Sequence, residues 1–281
     1  MREDSFLGLS AAGFHRVVYT EWGDPAAKRV VVCCHGLTRN GRDFDTLAER
    51  LSKTARVICP DVVGRGKSDW LGDPKLYGYP QYVADMSALI ARLDVAQVDW
   101  IGTSMGGLIG MILAAQPKSP LRSLVMNDVG PFVPKAALQR IADYVGLDNR
   151  FSSLASVENH LRKAYAPFGP LTDAQWAHLT AHGCRSIGDG TYGLSYDPGI
   201  AANVRLGVQD WDMWPLYDKI TCPTMVIRGM DSDLLSESTA AEMARRGPKA
   251  QRLDIPGVGH APALIDESQI AALEKWLEKV N

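Results

Sequence analysis

No apolar run in this sequence approaches the roughly 20 residues that a membrane-crossing helix needs. The opening residues, Met1-Arg2-Glu3-Asp4-Ser5-Phe6-Leu7-Gly8, are too polar and acidic for a secretory leader. Charge of one sign is also missing: 30 Lys and Arg stand against 32 Asp and Glu, with no basic stripe or like-charge block. That balance argues against general binding to nucleic acid or to a membrane surface. Cysteine is scarce and scattered, at Cys33, Cys34, Cys59, Cys184 and Cys222, with neither zinc nor C-x-x-C spacing. The expectation is a reduced, cytoplasmic, disulfide-free protein with no metal site. There is no internal repeat and no low-complexity tract. What remains is an ordinary globular composition, 46% hydrophobic and 22% charged, over 281 residues.

Short apolar runs alternate with helical patterns, the signature of a mostly parallel sheet covered on both faces. The runs are Val30–Cys34, Arg56–Cys59, Val98–Ile101, Leu124–Met126, Thr224–Ile227 and Arg252–Ile255. Being β-branched and nearly continuous, they read as strands buried on both sides. Phe14–Trp22 reads as a more polar strand pair at the sheet's edge. Helical patterns fall near Phe44–Leu51, Tyr82–Leu93, Gly106–Ala115 and Ser238–Arg246. In the last helix Ile270, Leu273, Trp276, Leu277 and Val280 share one face, and Asp266 with Gln269 predicts a capping box.

The alternation stops between Pro131 and Pro215. That stretch has helical patterns without a strand run, and it carries Trp176, Trp211 and Trp214. An insertion at this point would lie over the carboxyl ends of the strands, where open α/β sheets bind ligands. The expected organisation is a core of residues 1–130 and 216–281 with a helical lid over 131–215.

The sharpest chemical feature is Gly102-Thr103-Ser104-Met105-Gly106, a G-x-S-x-G element between an apolar strand run and a helical run. A serine on so tight a turn needs small neighbours, and the turn projects its hydroxyl outward as a candidate nucleophile. The hydroxyl needs a base to take its proton. In such elbow hydrolases the chain order is serine, acid, histidine. His160, His178, His182 and His260 follow Ser104, and the first three fall in the insertion. His260, in the turn Gly257-Val258-Gly259-His260-Ala261-Pro262, is the expected base. For the acid we expect Asp233, anchored by Leu234-Leu235, with Asp231 and Asp128 as alternatives. Oxyanion donors are expected from the N–H groups of Met105 and, in His35-Gly36-Leu37-Thr38, of Leu37. His35 is read as shaping that loop. Asp61-Val62-Val63-Gly64-Arg65-Gly66-Lys67-Ser68 lacks phosphate-loop order and reads as a structural turn. Arg39 and Asn40 read as an exposed loop, although Arg39 is kept with the three tryptophans as a candidate pocket residue.

Taken in order, His35-Gly36, Asp61-x-x-Gly64-x-Gly66-x-Ser68, Gly102-x-Ser104-x-Gly106-Gly107, the Gly229-to-Asp233 turn and Gly259-His260 resemble the α/β-hydrolase superfamily. The resemblance covers nearly the whole chain outside 131–215. It implies an α/β fold with a mostly parallel eight-stranded sheet, a lid after the sixth strand and no cofactor. It also implies a triad of Ser104, Asp233 and His260, with Met105 and Leu37 as oxyanion donors. Serine at the elbow speaks against dehalogenase and epoxide hydrolase branches, which carry aspartate there. Asn127-Asp128-Val129-Gly130-Pro131 is similar to a segment of small bacterial esterases, some acting on hydroxyalkanoate oligomers. The expectation is hydrolysis of a small to medium carboxylic ester, a small-molecule substrate, with homo-oligomerisation left open. Two alternatives stand beside it. One is carbon–carbon hydrolysis of aromatic ring-cleavage products, using Arg39 or Arg185 as cationic contacts; the other is a non-catalytic binding protein.

Overall fold

The computed structural model describes residues 1–280. Strands β1 (Arg2–Ser10) and β2 (Gly13–Trp22) form an antiparallel hairpin that opens the sheet. Then come β3 (Val30–Cys34), α1 (Asp45–Leu51), β4 (Arg56–Pro60), α2 (Tyr79–Arg92), β5 (Val98–Thr103) and α3 (Met105–Ala114). After β6 (Leu121–Asn127) the chain enters its long insertion, with α4 (Lys135–Tyr144), α5 (Leu154–Ala164), α6 (Asp173–Gly183), α7 (Ala201–Leu206) and the one-turn α8 (Trp214–Tyr217). Strand β7 (Thr224–Gly229), α9 (Glu237–Met243), β8 (Gln251–Ile255) and α10 (Glu267–Lys279) complete the fold.

The eight strands lie in the order β1-β2-β4-β3-β5-β6-β7-β8, parallel from β4 onward. Within β3, Val30, Val32 and Cys34 face one hydrophobic cluster while Val31 and Cys33 face another. That two-sided burial explains the continuous apolar runs: neither face of a central strand meets water. The first cluster joins the sheet to α2 and α3, the second to α1 and α10. Burying each large aliphatic side chain there contributes roughly 1.5–3 kcal/mol. Among the described residues, no helix is long and apolar enough to cross a membrane.

Four expectations need correction. Phe14–Trp22, read as a strand pair, is one strand, β2, whose partner in the hairpin is the nine-residue Arg2–Ser10. The run at Arg252–Ile255 is only partly buried, because β8 is the sheet's edge. The insertion is not wholly helical: Cys184–Gly188 and Thr191–Leu194 form a hairpin, in which glycine turns replace a long apolar strand signal. Asp266 caps α10 through Ser268, while the Gln269 amide oxygen accepts from Leu264 N–H at 3.1 Å, so no reciprocal box forms.

Candidate active site

Strand β3 lies between β4 and β5, so the connections leaving β3 and β5 diverge and open a crevice at the strands' carboxyl ends. Ser104 sits there as the residue before α3, with φ 52° and ψ −114°, a region that L-residues rarely occupy. The elbow is tight enough to need both glycines. A Cβ at Gly102 would stand 2.2 Å from Gly106, and one at Gly106 would stand 2.0 Å from the Cys34 carbonyl. The Ser104 N–H donates to Asn127 O at 2.9 Å, tying the turn to the end of β6.

Ser104 Oγ lies 2.9 Å from His260 Nε2, and His260 Nδ1 lies 2.7 Å from Asp128 Oδ2. An ionised carboxylate only accepts, so Nδ1 carries the proton and Nε2 is free to receive one from the serine. Asp128 is fully buried at φ 54°, a left-handed conformation that Asp tolerates better than most residues. Its Oδ1 accepts from Gly229 N–H at 2.8 Å, and its Oδ2 also accepts from Ser232 Oγ–H at 2.6 Å. The negative charge is therefore held in place by three donors.

The expected contact between Asp233 and His260 is not made. Asp233 is about half exposed and forms a bidentate pair with Arg140, at 2.5 and 2.9 Å. Asp231 is exposed too, its N–H bound to Val258 O at 2.9 Å. Leu234 and Leu235 are buried as expected, but they turn the chain so that Ser232, not Asp233, faces the buried carboxylate.

Leu37 and Met105 flank Ser104 at the cavity wall. As the first residue of α3, Met105 has an N–H with no partner inside its helix. The loop bearing Leu37 is pinned from two sides. His35 Nδ1–H donates to Gly36 O at 2.7 Å, and His35 Nε2 accepts from Val62 N–H at 2.9 Å. Burial pushes this imidazole down to about 4, and both contacts require the neutral ring. Arg65, wholly buried, donates from Nε to Leu37 O at 2.9 Å and from Nη1 to Val63 O at 2.8 Å, stacked 4.8 Å over Tyr82. The Asp61–Ser68 stretch is a structural turn: Asp61 accepts from Gly41 N–H and Lys67 N–H at 2.8 Å each. Asn127 Nδ2 donates to Thr103 Oγ1 at 3.0 Å and to Pro262 O at 2.8 Å, joining the elbow to the His260 loop. Neither Arg65 nor Asn127 was singled out in the sequence. A buried arginine in a glycine turn and an Asn-Asp pair at a strand end were the available signals.

Two cavity lobes meet at Ser104, Leu37 and Ile141. The first, about 280 Å³, is bordered by His260, Arg39, Arg140, Tyr165, Phe168 and Asp233. The second, about 200 Å³, is bordered mainly by apolar and aromatic side chains, Trp211 among them. Arg39 is not an exposed loop cation. It is buried, chelated by Asp43 at 2.6 and 2.8 Å, and stacked 4.9 Å over Tyr165. Asn40 is buried too, donating to His182 O at 2.8 Å. Two tryptophans leave the pocket: Trp176 packs with Val157, Leu161 and Leu179 inside the insertion, and Trp214 meets Tyr217 edge-on and lies under Arg246. Arg185 is exposed and lies 4.1 Å over Trp70, outside both lobes.

Among the described residues, Asp45, His178 and His182 bring three ligand-type atoms within 4.8 Å of one another. The Arg42 guanidinium already occupies that cluster, paired with Asp45 and 3.5 Å from His182 Nδ1. His178 Nε2 donates to Arg42 O at 3.0 Å, so its lone pair is not presented. The group acts as a polar clamp between α6 and the start of α1.

Residues 29–267 match the family model described as the alpha/beta hydrolase fold. The chain belongs to the α/β-hydrolase family. It is 49% identical over 273 residues to the 3-hydroxybutyrate-oligomer hydrolase of Cupriavidus necator, covering 94% of this chain and 93% of the other. Identity to the 2-(acetamidomethylene)succinate hydrolase of Mesorhizobium japonicum is 28% over 229 residues, covering 80% of this chain and 79% of the other. The crystal structure of an α/β hydrolase from Novosphingobium aromaticivorans superimposes with a TM-score of 0.88 at 37% identity, covering 99% and 98% of the two chains. Both of these curated relatives are hydrolases.

Proposed function

We propose that this hydrolase cleaves carboxylic esters through an acyl-enzyme, with Ser104 as nucleophile, His260 as base and Asp128 as the acid. The observation that carries the reading is the unbroken relay Ser104 Oγ, His260 Nε2, His260 Nδ1, Asp128 Oδ2, at 2.9 and 2.7 Å. His260 takes the serine proton as Oγ attacks the acyl carbon. The developing oxyanion is met by the N–H groups of Met105 and Leu37, each worth roughly 3 kcal/mol in such sites. The imidazolium, held by buried Asp128, then protonates the leaving alcohol, and water repeats the cycle to free the acid.

For the substrate we propose short oligoesters of 3-hydroxybutyrate. High identity to the Cupriavidus necator hydrolase over nearly the full length of both chains supports this, as do two lobes on either side of the nucleophile. Residues 131–215 act in this reading as the lid, since Arg140, Tyr144, Tyr165 and Phe168 border the first lobe. The setting we propose is the cytoplasm, where five unpaired cysteines stay reduced. Carbon–carbon hydrolysis of an acidic ring-cleavage product is less well served. Arg39 and Arg140 are each engaged by an aspartate, and Arg185 lies outside the cavity.

Ser104→Ala should lower turnover of the 3-hydroxybutyrate dimer and of 4-nitrophenyl butyrate by about 10³-fold or more and abolish fluorophosphonate labelling. Near-normal turnover in that variant would refute the nucleophile. Strong preference for a ring-cleavage diketone over both esters would overturn the ester reading.

A further inference from the structure

The two lobes are not equivalent for a bound ester. The leaving oxygen must lie beside His260, which protonates it, and His260 borders only the first lobe. The alcohol portion therefore occupies the first lobe and the acyl chain extends into the second, past Leu37 and Met105. That acyl lobe has no Asp, Glu, Lys, Arg or His in its wall. An ionised carboxylate entering it would lose hydration without gaining a counter-charge.

The same lobe nevertheless contains polar groups that ester hydrolysis leaves unused. Tyr79 opens α2 and Tyr82 follows one turn later, with ring centres 6.1 Å apart and Trp211 edge-on to Tyr79 at 5.8 Å. The neighbouring Tyr77 hydroxyl is committed, donating to Asp197 at 2.5 Å and accepting from Leu71 N–H at 2.6 Å. The Tyr79 and Tyr82 hydroxyls have no hydrogen-bond partner among the described residues, although Tyr82 is only 3% exposed. Burial holds the Tyr79 phenol above its ordinary range, so it stays a neutral donor. Hydroxyls without a protein partner at the wall of a cavity are free to bond a ligand held there.

We infer that Tyr79 and Tyr82 form a hydroxyl-recognition site in the acyl lobe, selecting acyl chains that carry an oxygen over plain fatty acyl chains. Resting on the ester-hydrolase reading above, this assigns a direction to an oligomer. Its hydroxyl-bearing end enters the second lobe, and its carboxylate end stays toward the first, where Arg39, Arg140, Asp43, Asp231 and Asp233 keep the wall polar.

The test compares 4-nitrophenyl 3-hydroxybutyrate with 4-nitrophenyl butyrate, which share one leaving group. Wild type should favour the hydroxylated ester in kcat/KM. Tyr79→Phe and Tyr82→Phe should each lower that preference by about tenfold while leaving butyrate within about twofold, and the double variant should show no preference. An indifferent wild type, or variants that slow both esters equally, would overturn the assignment while leaving the ester-hydrolase reading intact. A wild type that hydrolyses neither ester and fails to label with fluorophosphonate sinks that underlying reading instead.

Discussion

Two neighbouring strand ends in this protein carry aspartates, and they have opposite fates. Asp128, directly after β6, is fully buried, takes three donors and touches His260 at 2.7 Å. Asp233, four residues after β7, is half exposed and pairs with Arg140. Asp233 follows the strand next to β8, from which the histidine loop leaves, and Asp128 follows the strand one further in. What separates them is depth. A carboxylate that stays ionised while orienting an imidazole must be held by fixed dipoles, and only the buried position has them. Asp233 instead meets solvent, where an ion pair contributes little.

The largest test of that contrast is Asp128→Asn. The amide still accepts one hydrogen bond, so the fold should persist by circular dichroism. Its NH₂ group, however, cannot hold His260 Nδ1–H, and the imidazole loses its tautomer and its counter-charge. Turnover of 4-nitrophenyl butyrate should drop by about 10³–10⁴-fold, mostly in kcat. Activity within tenfold of wild type would remove Asp128 from the relay.

Burial without a carboxylate makes the opposite prediction, and His35 supplies it. With backbone partners only, its ring is pushed down to about 4 from an ordinary 6.5. Between those values the unfolded chain binds a proton that the folded chain refuses, so stability falls as the pH drops from about 6.5 towards about 4. His182, also lowered to about 4 by burial and by Arg42, adds in the same sense. Asp61, raised to about 6 by burial, acts oppositely, favouring the fold as the pH falls. Subtracting His35→Gln from wild type in urea titrations at several pH values isolates the first effect. The variant should be less stable at pH 7 yet lose less on acidification. Parallel curves would contradict a forced neutral His35.

The sequence made the framework of this site readable and hid its acid. Gly102 and Gly106 announced Ser104 because the elbow leaves no space for a side chain, a constraint that local composition records directly. His260 could be reached by elimination, since the other histidines after Ser104 fall in the insertion. Asp128 and Asp233 differ in a property that no short window holds: which one the β6–β7 register brings beneath the histidine loop. Asn127 pairs with Ile227 in that register, and Asp128 N–H then donates to Ile227 O at 2.7 Å, drawing its side chain toward Gly229 and Ser232. Arg39 was misread for a similar reason: its partners Asp43 and Tyr165 lie 4 and 126 positions away. Side-chain depth in such loops is a tertiary property.

The smallest effect is the most discriminating. Asp233→Asn breaks the bidentate pair with Arg140, whose two side chains are 47% and 51% exposed. Exposed pairs of this kind contribute about 0–1 kcal/mol, because solvent screens the charges and ordering two side chains costs entropy. Melting temperature and kcat should therefore stay close to wild type, with kcat on 4-nitrophenyl butyrate within about threefold. KM can move, because freeing Arg140 adds an unpaired cation to the first lobe, where the leaving alcohol lies. Longer 3-hydroxybutyrate oligomers, with a terminal carboxylate on that side, should then bind slightly tighter, while a methyl-capped oligomer should be indifferent. A collapse of kcat in Asp233→Asn, matching that of Asp128→Asn, would mean that the two turns exchange roles during the reaction.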